Sequence, residues 1–297
     1  MKQIGLIGLG DMGMGLAQNI LKHGFDLVGY DIRQERLAQL ERLGGKTAAD
    51  CCAVGTNADA VFVMVLNGNQ AKEVVLGAHG LLEGLRAGST VIVTSTIHPA
   101  DVRALEGPLT AKGVDLVDSP VSGGRGGAEQ GTLAMMVAAK ETVFARCKPL
   151  LEAVGKKIYH VGTEIGMGQT VKAAVQAFVC ASYTSLFEAL VLGVKAGVKP
   201  EILNEIFNAS FVASPLTQNA IPLIMDRKFT NSGGQIVVTH KDVSISMALG
   251  KDVGAALFTV SAAYEVFQAG KSLFPGEDNW AIVKLFEQIA GVEVKRQ

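Results

Sequence analysis

Residues 4–13 read Ile4-Gly5-Leu6-Ile7-Gly8-Leu9-Gly10-Asp11-Met12-Gly13, and this stretch decides the fold. Ile4–Ile7 has the composition of a strand, and GxGxxG follows it directly, opening a stretch of helical spacing, Met12–Lys22. In that setting Gly8 permits the tight turn, Gly10 lets a pyrophosphate approach the backbone, and Gly13 lets the helix pack on the sheet. Free amides at the helix start then face the phosphates. GxGxxG alone is a weak signal in a chain with 35 glycines. The next apolar run, Phe25–Tyr30, leads into Asp31, about twenty residues past the turn, where a carboxylate accepts hydrogen bonds from ribose hydroxyls. Strand, turn, helix, strand and acid together predict dinucleotide binding by Gly8, Leu9, Gly10, Asp11, Met12, Gly13 and Asp31. A carboxylate at the adenosine ribose opposes a 2′-phosphate and favours NAD. Arg33 keeps NADP open, being either a solvated loop charge or a phosphate contact.

Outward from this turn the alternation continues. Val61–Leu66, Ser89–Val93, Val114–Val117 and Lys157–Val161 are further strand candidates, and Gln34–Leu43, Ala100–Lys112 and Glu141–Val154 are helical. Such βαβα order predicts an α/β Rossmann unit, a doubly wound, mostly parallel sheet, over residues 1–164. From Gly166 the pattern becomes helical: Gly166–Gly197, Pro200–Ala209, Lys241–Val253, Ala262–Ala269 and Asp278–Ala290. Gln235–Thr239 reads as a loop or short turn. Residues 165–297 are therefore expected to form an all-α unit for substrate binding and oligomerisation.

Composition narrows the function classes. With 297 residues, 48% hydrophobic and 19% charged, the chain has ample core, and a net charge of −1 suits a small-molecule partner better than nucleic acid. Cys51, Cys52, Cys147 and Cys180 lack CxxC spacing, and His23, His79, His98, His160 and His240 lack metal-ligand spacing, so no metal is expected and the histidines read as surface or capping residues. Reduced cysteines and an N-terminus that enters a strand at once predict a cytoplasmic protein. Ala173–Val194 is long and apolar enough to span a bilayer, but Gln176 and Glu188 interrupt it. It reads instead as a buried helix without a membrane partner, with Glu188 a buried, paired carboxylate or else a support of the cofactor or substrate pocket, and the apolar helical half suggests a homo-oligomer, dimer or tetramer.

Four segments, in order, resemble the β-hydroxyacid dehydrogenase family over essentially the whole chain. Ile7–Gly13 is similar to its GLGxMG cofactor turn, and Asp118-Ser119-Pro120-Val121-Ser122-Gly123-Gly124 to its D-A-P-V-S-G-G substrate segment. Gly166-Met167-Gly168-Gln169-Thr170-Val171-Lys172 resembles its G-x-G-x-x-x-K catalytic segment, and Lys241-Asp242 its late K-D pair. Weaker similarities put Leu66, Asn67 and, after Ser95, Thr96 beside the cofactor. The resemblance implies an NAD-dependent oxidoreductase acting on a small hydroxy acid such as 3-hydroxyisobutyrate, tartronate semialdehyde or threonate. In that reading Ser122, Gly123 and Gly124 hold the substrate carboxylate, Lys172 transfers the hydroxyl proton, and Lys241 lends charge near the cofactor.

The residues bear this reading independently, each beside a plainer one. Ser122-Gly123-Gly124 offers a hydroxyl and unhindered amides, or is an ordinary turn. Lys241 is otherwise a surface lysine in a charged loop. Lys172 shares a helix face with Gln169, Gln176 and Tyr183, a polar stripe for which a substrate cleft would provide partners, or it snorkels near a helix start. Gln176 stands where the family commonly has Asn, and Ser119 where it has Ala, which puts the substrate's size and hydroxyl placement in question. An imine reductase on the same architecture and a non-catalytic NAD-binding sensor or scaffold are the competing functions, both disfavoured by Lys172.

Overall fold

The alternation of buried side chains along each strand fixes a two-faced sheet. In the computed structural model, which describes all residues from Met1 to Gln297, Phe62 and Ile92 face one side of the sheet while Val61, Val63, Val91 and Val93 face the other. The chain divides into two units, Met1–Lys172 and Ala173–Gln297.

The first unit contains β1 (Gln3–Ile7), α1 (Asp11–Lys22), β2 (Asp26–Tyr30), α2 (Gln34–Arg42), β3 (Lys46–Thr47), α3 (Cys51–Gly55), β4 (Ala60–Val63), α4 (Gly68–Leu76), α5 (Leu81–Gly84), β5 (Thr90–Val93), α6 (Pro99–Ala111), β6 (Asp115–Asp118), β7 (Val121–Ser122), α7 (Gly124–Gln130), β8 (Leu133–Ala138), α8 (Glu141–Val154) and β9 (Gly155–Gly162). The strand order is β3-β2-β1-β4-β5-β6-β8-β7, with β9 on β8. The pairs from β3 through β6 are parallel, as expected, whereas β8 runs antiparallel to β6 and β7. Because β2 and β4 flank β1, the order reverses there, and the carboxyl ends of β1 and β4 open the crevice where such sheets bind ligands. One core layer joins α1 and α8 through Leu16, Ile20, Val143 and Leu151. The other joins α4 and α6 through Val75, Val102 and Leu105.

α9 (Met167–Lys195) starts in the first unit and continues into the second. The second unit goes on with α10 (Pro200–Ala209), α11 (Pro215–Met225), α12 (Ile236–Val253), α13 (Phe258–Leu273), a 3₁₀ turn (Asn279–Ile282) and α14 (Val283–Ala290). Its core gathers Phe187, Leu190, Ile221, Ile224, Val243, Phe267 and Trp280.

Several local expectations change. α11 is hidden in sequence by Pro215 and Pro222; Pro215 occupies the first turn, where proline is tolerated, and a Ser214–Thr217 capping box closes the start. Gln235–Thr239 is not a loop, because Gln235 caps α12 and Ile236–Thr239 form its first turn. β3, β7 and β8 have no counterpart among the strand candidates of the sequence, the first two being two residues long. α9 does have the length and composition to cross a membrane, yet it supplies Cys180, Phe187 and Leu190 to the core of the second unit. Glu188 is exposed, not buried, because it lies past the edge of that covered arc, on the side that also leaves Phe178 and Leu192 open.

Candidate functional site

At the carboxyl end of β1 the backbone turns on Gly8, whose φ of +89° suits glycine, and a Cβ on Gly13 would fall on the Gly8 carbonyl. Gly10 caps α1 and has open space around its Cα, where a side chain would meet only the Arg33 guanidinium at 3.7 Å. No side chain caps the first amides of α1. A cradle that one Cβ would fill, beside free amides, fits a dinucleotide pyrophosphate. Leu9 takes part through its backbone alone, since its side chain is in the core. Met12 also packs on that core, while Asp11 is exposed and paired with Arg36 at 2.9 Å.

Asp31 is buried at the end of β2, and its Oδ2 accepts from Leu9 N at 2.7 Å, tying the strand to the turn. Its Oδ1 accepts from Arg33 N and Nε at 3.0 and 3.1 Å. Burial pulls this carboxyl upward, but the Arg33 side chain, with the Leu9 and Arg33 amides, outweighs it and leaves the group below the usual carboxylate range. Arg33 is therefore ion-paired rather than a free loop charge. Beyond β4, Leu66 is half exposed and Asn67 caps α4 by accepting from Gln70 N at 2.9 Å. Ser95 Oγ accepts from Val65 N at 2.8 Å, joining this segment to the one that carries half-buried Thr96.

Further along the sheet edge, β7 delivers Ser122 to a turn in which exposed Gly123 and Gly124 have φ of +134° and +60°. Gly123 caps α7 and Gly124 opens it, a helix the sequence pattern does not reveal. Lys172 is 6% exposed, on the second turn of α9. The start of α9 is held by Asp118, whose Oδ2 accepts from Gly166 N at 2.9 Å and Gln169 N at 3.2 Å. Gln169 Nε2 donates to Asp118 Oδ1 at 2.9 Å and to Ser95 O at 3.0 Å, and its Oε1 accepts from Ile97 N at 3.0 Å. Gly168 packs so closely that a Cβ would lie 2.9 Å from Asp118 O and 3.0 Å from its Oδ2. Burial pushes the Asp118 carboxyl up to about 6, against the opposing pull of the Gln169 and Gly166 donors.

In the second unit, Gln176 Nε2 donates to Oδ2 of buried Asp242 at 2.7 Å. Lys241 Nζ is 2.8 Å from the other carboxylate oxygen, with its side chain only 21% exposed, so Lys241 belongs to α12 and not to a charged surface loop. His240 is buried and stacked on Tyr264 with centroids 5.0 Å apart, contrary to a surface or capping role; burial, with Lys271 nearby, holds it below the ordinary histidine range. His98 does cap α6. Tyr183 meets Trp280 edge-on at 5.4 Å, and burial pushes its hydroxyl up to about 12. The polar stripe on α9 thus has hydrogen-bonded protein partners for Gln169 and Gln176, while Tyr183 makes ring contacts. Asp118 as the counterpart of Gln169 is not apparent from the sequence, although its motif is in view; the signal is a carboxylate at a strand end and a glutamine opening a buried helix.

Family models match both parts of the chain. The family model for the NAD binding domain of 6-phosphogluconate dehydrogenase matches residues 3–162, and that for the NAD-binding of NADP-dependent 3-hydroxyisobutyrate dehydrogenase matches residues 166–286. A 2-(hydroxymethyl)glutarate dehydrogenase of Eubacterium barkeri is 35% identical over 98% of this chain and 97% of its own. An L-threonate dehydrogenase of Escherichia coli is 31% identical over 96% and 95%. The crystal structure of 3-hydroxyisobutyrate dehydrogenase from Salmonella typhimurium superposes with a TM-score of 0.86 at 29% identity, covering 96% of this chain and all of that one.

Proposed function

Because this chain belongs to the β-hydroxyacid dehydrogenase family of NAD(P)-dependent oxidoreductases, we propose that it oxidises the hydroxyl of a small hydroxy acid with Lys172 moving the proton. The observation that carries this reading is Lys172 itself, buried on the second turn of α9 in the same unit as the glycine turn and Ser122–Gly124. When bound, NAD(P) supplies the hydride acceptor or donor. Ser122 and the amides of Gly123 and Gly124 hold the substrate carboxylate, and the Lys172 amine takes the hydroxyl proton, returning it in the reverse direction. Gln176 adjusts which substrate shape is accepted, and Lys241 lends positive charge toward the cofactor. The names of the relatives support the substrate class, since 2-(hydroxymethyl)glutarate, threonate and 3-hydroxyisobutyrate each join a carboxylate to an alcohol.

Asp31 supports NAD as the preferred cofactor, with Leu66, Asn67, Thr96 and the glycine turn around it. The paired guanidinium of Arg33, 3.7 Å from where a Gly10 side chain would begin, narrows the margin over NADP. The exposed face of α9, with Phe178 75% and Leu192 70% open, supports self-association in the cytoplasm as a dimer or tetramer. A turnover assay of NAD and NADP against a panel of small hydroxy acids tests the whole reading. Hydride transfer to NAD with at least one of them is expected. Reduction of cyclic imines alone, or nucleotide binding without any turnover, would replace it with one of the two competing functions.

A further inference from the structure

Lys172 sits one helical turn after Gln169, and Gln169 is the most heavily bonded side chain at the start of α9. Its amide is 1% exposed and makes three hydrogen bonds, to the end of β6 through Asp118 and to the segment after β5 through Ser95 O and Ile97 N. Asp118 meanwhile accepts from two backbone amides at the helix start, Gly166 and Gln169. Side chains three residues apart on a helix share a face, so fixing Gln169 fixes the direction in which the Lys172 Cα–Cβ bond leaves the helix. The absent side chain of Gly168 lets the two surfaces meet without an intervening layer.

We propose that Asp118 and Gln169 are positioning residues for the reaction, clamping the first turn of α9 onto the ends of β5 and β6 so that Lys172 is presented in one orientation. The clamp lies wholly within the first unit, and its role rests on the reading of Lys172 as the proton carrier. It needs Asp118 as an anion, because three donors converge on its two oxygens and a protonated carboxyl would set its own O–H against one of them. Arg103 borders the clamp, donating to Ile165 O at 3.2 Å, and Glu164 precedes it in the chain; Ser95 and Thr94 on the β5 side and Ala138 across from Asp118 are neutral.

The test uses Asp118→Asn, Gln169→Met and Lys172→Ala in the full chain, with the best substrate of the panel. NADH titration should give a Kd within about twofold of the parent for each, since the glycine turn is untouched. Gln169→Met and Asp118→Asn should lower kcat by up to about 10²-fold, the cost of misplacing a reacting group by about 1 Å, and leave KM nearly unchanged. The parent-to-Asp118→Asn ratio of kcat should be large above pH 6 and approach one at pH 5, where the parent carboxyl is itself protonated. A purely architectural role would not produce that convergence. If Asp118→Asn does not fold, Gln169→Met alone decides through its split between kcat and KM. Near-parental kcat in Gln169→Met, or a ratio that ignores pH, overturns the clamp while an inactive Lys172→Ala leaves the reading of Lys172 standing. An active Lys172→Ala overturns both.

Discussion

Gln169 and Gln176 stand seven residues apart on one helix, flank Lys172, and have the same side chain, yet the structure treats them oppositely. Gln169 is fully buried and uses both ends of its amide in three hydrogen bonds. Gln176 is half-buried and makes one, to Asp242. A buried amide with every group satisfied has a single arrangement, and losing it strands its partners, whereas a half-exposed amide with one bond can exchange that bond for another at small cost. The helix therefore has a fixed end and an adjustable end on either side of its lysine. That division fits the proposed reaction, in which Lys172 would carry the proton in one orientation and Gln176 would meet the substrate.

The comparison can be broken most sharply at its centre. Lys172→Ala is expected to lower turnover by about 10²–10⁴, the range for a lost general acid or base, and Lys172→Arg should not restore it because a guanidinium keeps its proton. Steady-state kinetics on the best hydroxy acid checks both.

Next in size is the difference in stability between the two glutamines. Denaturant unfolding of Gln169→Leu should show a loss of about 1–3 kcal/mol for each buried group left without a partner, Ile97 N and Ser95 O among them. Gln176→Leu should cost about 1 kcal/mol, the net worth of one ordinary hydrogen bond. Equal losses would erase the distinction between a fixed and an adjustable end.

Asp118 adds a pH signature to the fixed end alone. Its folded pKa, about 6, is above the ordinary 3.8, so proton binding favours the fold. That contribution is complete below about pH 4 and is lost as pH rises through about 6. The stability of the parent relative to Asp118→Asn should therefore decline across this window, measured by urea midpoints at pH 4, 5, 6 and 7. A flat difference would mean that the carboxyl titrates as if it were in water.

The smallest effects belong to the adjustable end and to the cofactor turn. Gln176→Asn shortens the amide by one methylene, and it should shift the ranking of hydroxy acids by kcat/KM more than it changes the highest kcat. Comparing kcat/KM for NAD and NADP should favour NAD in the parent, with the margin widening in Arg33→Ala. Better use of NADP by the parent would place Arg33 on the phosphate and remove Asp31 from the ribose reading.

The sequence by itself determined the features with a strong local pattern. The turn at Gly8–Gly13, Asp31 at the end of β2, the change to helices after Gly166 and the family were all legible, because strand periodicity, glycine spacing and motif order are properties of neighbours along the chain. Tertiary structure alone decided which polar groups are spent. Gln169 and Gln176 look equivalent in sequence, and only the arrival of Asp118, from 51 residues upstream, and Asp242, 66 residues downstream, assigns each amide its partner. The same applies to Glu188, exposed although its helix is apolar, and to Arg33, paired although its loop looked free. Long-range pairing depends on which surfaces the packed core brings together, and no pattern within a window of neighbours encodes it.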